Sequence, residues 1–410
     1  MGKMKAISIL NNAIINVPYY REKSAIINMK RCTCEEDFDS FPVLKKADIQ
    51  ASNLSIISDE YAGLLIKSLR VERTSGSTGR FINVYWNKDE YNSSNMILWR
   101  LRKKWYDITP NSKCVSFNSV LNSGSNVYLP ESNSFSYNKR RMYISKFVLD
   151  DNNILEVVNS INAYKPEWMI IQSSSLTRLT LYLIENNMKI PSLRYIELNG
   201  EVVTEIDRKV FEDFYNVPLA NMYGAVEVNS IAYECPYHNI HILEDNVYLE
   251  NQIIDNKSTI LVTSLHNNAM PIIKYEIGDE VELGNVINCR CGTKSRTIKR
   301  IIGRSADTVK VKNGDYVNPY IFTYCIEKTN SVFNGIIKQF KVIQLSFTTI
   351  AISLCVEKSA NNWSNAIKEQ LLSLLRQNCK QYNFEFEIEI SNLFDFDNTT
   401  GKYKLFECQI

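Results

Sequence analysis

The sequence predicts an α/β protein built on a parallel sheet, and residues 166–223 carry that prediction. Apolar runs of strand length at 166–171, 193–198 and 219–223 alternate with two segments whose apolar residues recur every three or four positions. Strands and helices that alternate with short connections are typical of parallel β–α–β units. Thr204 is expected to be the N-cap of the second helix. The apolar helix faces comprise Leu176, Leu179 and Leu183 in the first helix and Ile206, Val210 and Phe214 in the second.

Two polar motifs follow predicted strands directly. Asn199-Gly200-Glu201 comes after the second strand, and Gly224 with Glu227 comes after the third. Ligands of open α/β sheets bind at the carboxyl ends of the strands. The fold class therefore points to these motifs as parts of a binding site.

The chain changes character after this region, which predicts two domains. Apolar–polar alternation at 246–255 and 258–265 predicts antiparallel strands. The last part predicts a small α+β unit. Its elements are a strand pair at 339–347 and 349–357, a helix at 363–378 with Ile367, Leu371, Leu374 and Leu375 inward, and a strand at 384–390. We expect domains at 1–303 and 304–410.

Composition excludes several classes of protein. The chain has 47 Lys and Arg against 45 Asp and Glu, a net charge of +2, which is unlike the basic footprint of a nucleic-acid binder. No apolar run reaches the ~18–20 residues of a membrane helix, so no membrane partner is expected. The start of the chain predicts an amphipathic helix. Ten cysteines in 410 residues form no dense disulfide framework, which favours a reduced, cytoplasmic protein.

A hydroxyl- and glycine-rich motif is the strongest local signal for a ligand. Small residues of this kind let backbone N–H and side-chain O–H groups approach phosphate oxygens. The motif is not a Walker A loop, and a plain surface turn is the alternative. It comprises Thr74, Ser75, Gly76, Ser77, Thr78 and Gly79.

A second group of residues suggests a metal site. Cys235 is followed by His238 and His241, and Cys289 and Cys291 come later. Thiolate and imidazole are the ligands that tetrahedral Zn²⁺ prefers. Either histidine could serve, and buried unligated cysteines beside a surface histidine are the alternative.

Motifs in a fixed order make the chain resemble the adenylate-forming (acyl-CoA synthetase) superfamily. After residues 74–79 come Asn199-Gly200-Glu201, a Tyr-Gly-x-x-Glu motif at 223–227, Tyr-x-x-Gly-Asp at 275–279, Gly-Arg-x-x-Asp at 303–307 and Gly-Lys at 401–402. More narrowly, the chain resembles the phenylacetate–CoA ligase family and its capsular-polysaccharide-biosynthesis (CapK-like) branch. Segments 17–23, 41–49, 234–245 and 289–296 also match that family, so the resemblance covers nearly the whole chain.

The resemblance implies an adenylate-forming fold with a small mobile C-terminal lid, and an AMP-forming acid ligase. Such enzymes activate a carboxylic acid with ATP and Mg²⁺ and commonly pass the acyl group to coenzyme A. Residues 74–79 would hold the β- and γ-phosphates, and Glu227 would hold Mg²⁺. The remaining implied roles are the adenine border for Gly200, Glu201, Tyr223 and Gly224, ribose contacts for Asp279 and Arg304, and α-phosphate and carboxylate contacts for the catalytic Lys402. The family pattern places zinc on Cys235, His241, Cys289 and Cys291, with His238 as the rival ligand. This closed set of four ligands implies a structural zinc site.

Some positions depart from the family pattern. Arg80 and Phe81 replace Lys-Pro, and Ala306 stands at the usual acidic hinge position beside Asp307. The glycine-rich acyl-pocket stretch is absent from 116–141, so no aryl-acetate pocket carries over. Residues of the acyl pocket are expected within 116–141, 172–176 and 199–229. These segments do not identify the acid.

Three functional hypotheses remain open from the sequence. Transfer of the acyl group to coenzyme A is the first. An amide or ester synthetase that uses an amine, a sugar or a biosynthetic intermediate is the second, with a carrier protein as a variant acceptor. A degenerate nucleotide-binding module is the third. The partners are small molecules in the first two hypotheses, and homodimer formation is left open.

Overall fold

The computed structural model describes residues 2–52, 54–74, 81–118, 127–128, 140–145, 149, 152–254, 257–304, 308–312, 316–357, 362–391 and 403–410. The helices are α1 (Gly2–Asn16), α2 (Pro18–Ile26), α3 (Glu35–Ser40), α4 (Lys46–Ala51), α5 (Lys88–Tyr106), α6 (Ile154–Tyr164), α7 (Ser173–Glu185), α8 (Glu205–Tyr215), α9 (Tyr320–Val332) and α10 (Ser364–Asn378). Short 3-10 turns lie at Asp59–Tyr61, Gly63–Ser68 and Lys380–Tyr382.

The strands follow the same chain order. They are β1 (Arg70–Arg73), β2 (Asn83–Trp86), β3 (Cys114–Asn118), β4 (Val127–Tyr128), β5 (Arg141–Ser145), β6 (Trp168–Ile171), β7 (Tyr195–Asn199), β8 (Leu219–Ala225), β9 (Asn229–Glu234), β10 (Ile240–Ile242), β11 (Val247–Ile254), β12 (Lys257–Ser264), β13 (Tyr275–Glu276), β14 (Asp279–Asn288), β15 (Lys294–Arg304), β16 (Val309–Lys310), β17 (Tyr316–Val317), β18 (Ile337–Gln344), β19 (Thr349–Val356), β20 (Glu385–Ser391) and β21 (Phe406–Cys408).

The first compact unit contains Met1–Thr109 and Ala220–Ser305. Its largest group of paired strands runs β14-β15-β10-β9-β8, and each of these neighbouring pairs is antiparallel. A three-stranded sheet, β11-β12-β13, and the hairpin β1–β2 complete its strands. One apolar core joins α1 and α2 to these sheets, with Leu10, Trp86 and Ile272 completely or almost completely buried.

The second compact unit contains Pro110–Leu219 and Ala306–Ile410. In its first part β7, β6, β3 and β5 are parallel neighbours, and β4 pairs antiparallel with β5. Helices α6, α7 and α8 cover this sheet through an apolar core that includes Ile161, Leu179 and Phe211. Its second part is a four-stranded sheet in the order β20-β19-β18-β21, against which α9 and α10 pack. Ile206 of α8 belongs to that second core.

The structure confirms the α/β class and the elements that the apolar patterns predicted. Strands β6 and β7 are parallel, as expected for a β–α–β unit. Thr204 caps α8, because its hydroxyl accepts from the Asp207 N–H while the Asp207 carboxylate accepts from the Thr204 N–H. The predicted antiparallel pairs appear as β11–β12 and β18–β19. In α10, Ile367, Leu371 and Leu375 are buried as expected, and Leu374 is partly buried against the same core.

Helix α1 begins at Gly2 and buries Ala6, Leu10 and Ala13, so the start of the chain is part of the fold. Within the ranges given above, no helix combines the length and apolar character needed to cross a membrane. The division into domains at residue 303, with a mobile lid after it, stays a prediction.

Replacing Phe322 tests the C-terminal core. Its side chain is fully buried, and its ring centroid lies 6.3–6.4 Å from those of Phe384, Phe386 and Phe406. Phe322→Ala should therefore lower the free energy of unfolding by about 3–5 kcal/mol. Urea unfolding followed by circular dichroism measures this change. Phe347→Ala is the matched control, because Phe347 is 44% exposed and its loss should cost about 0.5 kcal/mol or less. Equal losses in the two variants would contradict this account of the core.

Candidate functional site

The carboxylate of Asp279 joins three motifs that are far apart in the sequence. Tyr223 donates its hydroxyl to Asp279 Oδ2 at 2.7 Å, and Arg304 Nε lies 3.1 Å from Asp279 Oδ1. Arg304 also donates from Nη1 to the carbonyl of Ile277 at 3.0 Å. Burial and the adjacent carboxylate raise the pKa of Tyr223 well above its usual range, so the phenol stays a neutral donor. The result is a polar cluster with fixed hydrogen-bond directions.

Strand pairing explains why these residues meet. Asp279 begins β14 and Arg304 ends β15, and the two residues are cross-strand partners in that antiparallel pair. Gly278, just before Asp279, has a φ of 75°, a conformation that favours glycine. Tyr223 lies in β8 and is itself buried. The β14–β15 pairing therefore brings the Tyr-x-x-Gly-Asp and Gly-Arg motifs together.

Glu227 lies beside this cluster in a closely packed turn. Tyr275 donates its hydroxyl to Glu227 Oε1 at 3.1 Å. Burial, followed by the charge of Glu227, raises the pKa of Tyr275. Gly224 is needed in the same turn, because a Cβ there would lie 2.6 Å from the carbonyl oxygen of Asn229. The amide of Asn246 donates to the Val228 and Ser230 carbonyls and holds the turn in place.

Tyr275 is the residue of this site that the sequence reasoning missed. Its motif was identified, but only Asp279 was given a role. The signal was the tyrosine at the start of Tyr-x-x-Gly-Asp. The sequence could not show that this tyrosine bonds to Glu227, because the two residues are 48 positions apart.

The hydroxyl- and glycine-rich motif at 74–79 is described only at Thr74. Thr74 and Ile82 are joined by two hydrogen bonds, since Thr74 N–H donates to the Ile82 carbonyl at 3.1 Å and Ile82 N–H donates to Thr74 Oγ1 at 3.0 Å. Several predicted site residues lie outside the described residues. They are Ser75, Gly76, Ser77, Thr78, Gly79, Arg80, Ala306, Asp307 and Lys402.

In the second unit, Gly200 and Glu201 follow β7 next to the start of α7. Gly200 has a φ of 74°, which favours glycine. The carboxylate of Glu201 accepts from the Ser174 N–H at 3.0 Å and from the Tyr403 N–H at 3.1 Å. Glu201 therefore links the end of β7, the first turn of α7 and the C-terminal segment.

Four of the polar atoms near this motif are of interest because they are buried and lack a hydrogen-bond partner among the residues that the structure describes. They are Gln172 Oε1, Ser174 Oγ, Ser175 Oγ and Asn199 Oδ1. The amide nitrogen of Gln172 donates to the Phe117 carbonyl at 3.3 Å, which leaves its oxygen facing elsewhere. Burying a polar atom without a partner costs about 1–3 kcal/mol. This group is therefore suited to meet the polar atoms of a bound molecule or of water.

The predicted metal ligands come together in the first unit. One ligand atom each from Cys235, His241, Cys289 and Cys291 lies within 4.8 Å of all the others. Cys235 Sγ is 3.7 Å from Cys289 Sγ, and Cys291 Sγ is 3.4 Å from His241 Nε2. Tetrahedral zinc, with Zn–S near 2.3 Å and Zn–N near 2.0–2.1 Å, requires about 3.5–3.8 Å between ligand atoms. The four side chains fit such an ion.

The surroundings orient these ligands. Ser295 Oγ lies 2.9 Å from His241 Nδ1, so Nε2 is the nitrogen that faces the cysteines. Burial, followed by Lys104, lowers the pKa of His241 and keeps the imidazole neutral. Burial raises the pKa of the Cys235 thiol to about 12. His238 is elsewhere, because its Nδ1 lies 3.1 Å from Glu234 Oε1 and its side chain is 61% exposed. The geometry favours His241 over its rival.

The chain is similar in sequence to two known proteins. No protein-family model matches the chain. The chain is 26% identical over 384 residues to protein CapK from Staphylococcus aureus, a match that covers 91% of this chain and 81% of that protein. It is 30% identical over 141 residues to the phenylacetate–coenzyme A ligase of Thermus thermophilus, covering 32% of this chain and 31% of that ligase.

Solved structures share the fold. The crystal structure of 2-hydroxyisobutyryl-CoA ligase in its postadenylation state with 2-HIB-AMP aligns with a TM-score of 0.73 at 15% identity, over 99% of this chain and 88% of that one. Anthranilate CoA ligase AuaEII with anthranoyl-AMP aligns with a TM-score of 0.54 at 14% identity, over 81% of this chain and 65% of that one. These comparisons confirm the resemblance drawn from the motifs and the adenylate-forming fold.

Proposed function

Because the chain is a homologue of CapK and of phenylacetate–coenzyme A ligase with the fold of the adenylate-forming ligases, we propose that it is an ATP-dependent, AMP-forming acid ligase. The observation that carries the proposal is the convergence of Tyr223, Asp279 and Arg304, three residues from separate motifs. An ionised carboxylate with fixed neighbours is a suitable acceptor for the two hydroxyls of a ribose. Tyr223, Gly224, Gly200 and Glu201 would border the adenine.

The phosphates of ATP would be bound by other residues. Residues 74–79 would hold the β- and γ-phosphates with backbone and hydroxyl groups. Glu227, oriented by Tyr275, would supply an oxygen ligand to Mg²⁺. Lys402 would contact the α-phosphate and the attacking carboxylate, where charge develops.

The proposed reaction has two steps. A carboxylate oxygen of the acid attacks the α-phosphorus of ATP, the O–P bond to the acyl group forms, and the bond to the β-phosphate oxygen breaks to release pyrophosphate. The acceptor then attacks the acyl carbon through sulfur, nitrogen or oxygen and releases its proton to water, and AMP leaves with the electron pair of the broken C–O bond. The protein would contribute mainly positioning and charge stabilisation. We place the enzyme in the cytoplasm, where both nucleotide and coenzyme A are supplied.

Coenzyme A is the proposed acceptor of the acyl group. An amide or ester synthetase is the second candidate, because the longer of the two sequence matches is to CapK, whose name specifies no coenzyme A transfer. The match to CapK spans 91% of this chain, whereas the match to the phenylacetate–coenzyme A ligase spans 32%. Assays with and without coenzyme A distinguish the two.

The acyl group would bind near Gln172, Ser174, Ser175 and Asn199. Their buried oxygens without described partners favour an acid that carries hydroxyl, amino or amide groups over a purely aryl or alkyl acid. A site built for hydrogen bonds rejects a substrate that cannot make them, because its polar atoms are then left unpaired.

Zinc is proposed as a structural ion on Cys235, His241, Cys289 and Cys291. Four protein ligands would leave no open position for substrate, so zinc would stabilise the β9–β10 and β14–β15 turns and take no part in the reaction. The ligand spacing reported above supports this proposal.

Replacing Lys402 tests the proposed reaction. Pyrophosphate release is measured with MgATP and a panel of acids (phenylacetate, anthranilate, 2-hydroxyisobutyrate, lactate and serine), each with and without coenzyme A. Lys402→Ala should reduce release at least about 100-fold with the best acid, because charge on the α-phosphate loses its partner. ATP affinity, measured by calorimetry, should change by about threefold or less.

Lys404→Ala is the matched control, since Lys404 is an exposed lysine two residues away. It should retain wild-type release. Wild-type rates in Lys402→Ala would contradict the proposed role of Lys402. An absence of pyrophosphate with every acid in the wild-type protein would favour a nucleotide-binding module instead.

Metal analysis tests the zinc site. Protein purified without added metal should contain about one zinc per chain. Cys289→Ser and His241→Ala should lose most of it and unfold at lower temperature, because the binding energy of a structural zinc contributes to folding. His238→Ala should keep its zinc. Zinc-free wild-type protein, or zinc lost from the His238 variant alone, would refute this ligand set.

A further inference from the structure

The two oxygens of the Glu201 carboxylate accept hydrogen bonds from two peptide N–H groups that are distant in sequence. One belongs to Ser174 in the first turn of α7, and the other belongs to Tyr403, 202 positions away. Both bonds are charge-assisted, and the positive end of the α7 dipole favours a carboxylate at this place. Each oxygen of Glu201 thus has its own backbone donor.

Tyr403 is held at its other end by the C-terminal sheet. Its side chain is half-buried, and its hydroxyl donates to the carbonyl of Phe340 in β18. Two residues further on, the Leu405 carbonyl accepts from the Val342 N–H of the same strand at 2.9 Å. The segment that starts at Tyr403 is therefore attached to β18, and its first peptide N–H is attached to Glu201.

This N–H belongs to the residue that directly follows Lys402. The nitrogen of this group is joined covalently to the carbonyl carbon of Lys402, as in any peptide bond. Resting on the function proposed above, we infer that Glu201 is a positioning residue for the first half-reaction, whose carboxylate holds the peptide N–H that follows the lysine at the end of β7.

Loss of the Glu201 carboxylate should slow adenylation and leave transfer to the acceptor unaffected. Adenylation requires the lysine in place, whereas attack of the acceptor on a finished acyl-adenylate has no step that uses it. Loss of a hydrogen bond to a charged group corresponds to about 10- to 100-fold in a rate. A residue that only borders the adenine would instead raise the KM for ATP.

The test compares Glu201→Ala and Glu201→Gln with wild type. Two rates are measured: pyrophosphate release from MgATP with the fastest acid of the panel, and acyl transfer to coenzyme A from the synthetic acyl-adenylate of that acid without ATP. Glu201→Ala should lower kcat for pyrophosphate release about 10- to 100-fold with the KM for ATP within about twofold, and transfer should stay within about twofold. Glu201→Gln should fall between, because glutamine keeps one accepting oxygen and carries in place of the other an NH2 group, which cannot accept from a peptide N–H.

A third measurement does not depend on catalysis. Hydrogen exchange of the Tyr403 amide in the ligand-free protein should be faster in Glu201→Ala than in wild type. Glu212→Ala is the control, since Glu212 is a half-exposed carboxylate of α8 paired with Arg208. It should leave both rates and the exchange unchanged.

Several outcomes overturn the inference. They are an equal loss in both rates, a raised KM for ATP with unchanged kcat, and unchanged exchange at Tyr403 in Glu201→Ala. A wild-type protein that releases no pyrophosphate with any acid refutes the proposed function itself. The exchange measurement then still decides whether Glu201 holds the Tyr403 amide.

Discussion

The hydrogen-bonded Asp279 carboxylate is the interaction on which the candidate site depends. Asp279 accepts from Tyr223 on β8 and contacts Arg304 on β15, and it begins the strand that pairs with β15. A buried or half-buried carboxylate is tolerated only where its charge is compensated, so these partners must be kept together. The register of β14 on β15 meets this requirement for Asp279 and Arg304, which are cross-strand partners. The site is therefore preorganised by strand pairing, which is the condition for catalysis by positioning.

Local patterns predicted the elements, and non-local hydrogen bonds set the site. The three- and four-residue periodicity of α7 and α8, the Thr204 cap and the alternation in β11, β12 and β20 depend on neighbours in sequence, so the sequence was sufficient for them. Helix α5 and the long β14–β15 pair were not predicted. Polar residues dominate α5, and the register shifts in β14–β15 break the alternation of that pair. The donors that bind the carboxylates of Glu201 and Glu227 are brought to them by tertiary structure alone. The contacts of Tyr275 and Tyr403 were therefore not predicted from the sequence.

The cysteine cluster illustrates the same limit in a different way. The sequence supplied two candidate histidines three positions apart, and composition could not choose between them. In the structure strand β10 turns His241 toward Cys291, whereas His238, in the preceding turn with a φ of 58°, contacts Glu234. The backbone conformation therefore favours His241 over an identical side chain. The order of motifs along the chain carries the resemblance to a family, and the backbone sets the individual contacts.

Oxygen labelling tests most directly the proposed activation of the acid as an acyl-adenylate. An acid whose carboxylate carries ¹⁸O is turned over with unlabelled ATP and an acceptor, and the products are analysed by mass spectrometry. Attack of the carboxylate on the α-phosphorus followed by cleavage of the acyl C–O bond transfers one labelled oxygen to AMP. The account predicts singly labelled AMP and unlabelled pyrophosphate. Label in inorganic phosphate, with ADP as the nucleotide product, would show an acyl-phosphate route and contradict the account.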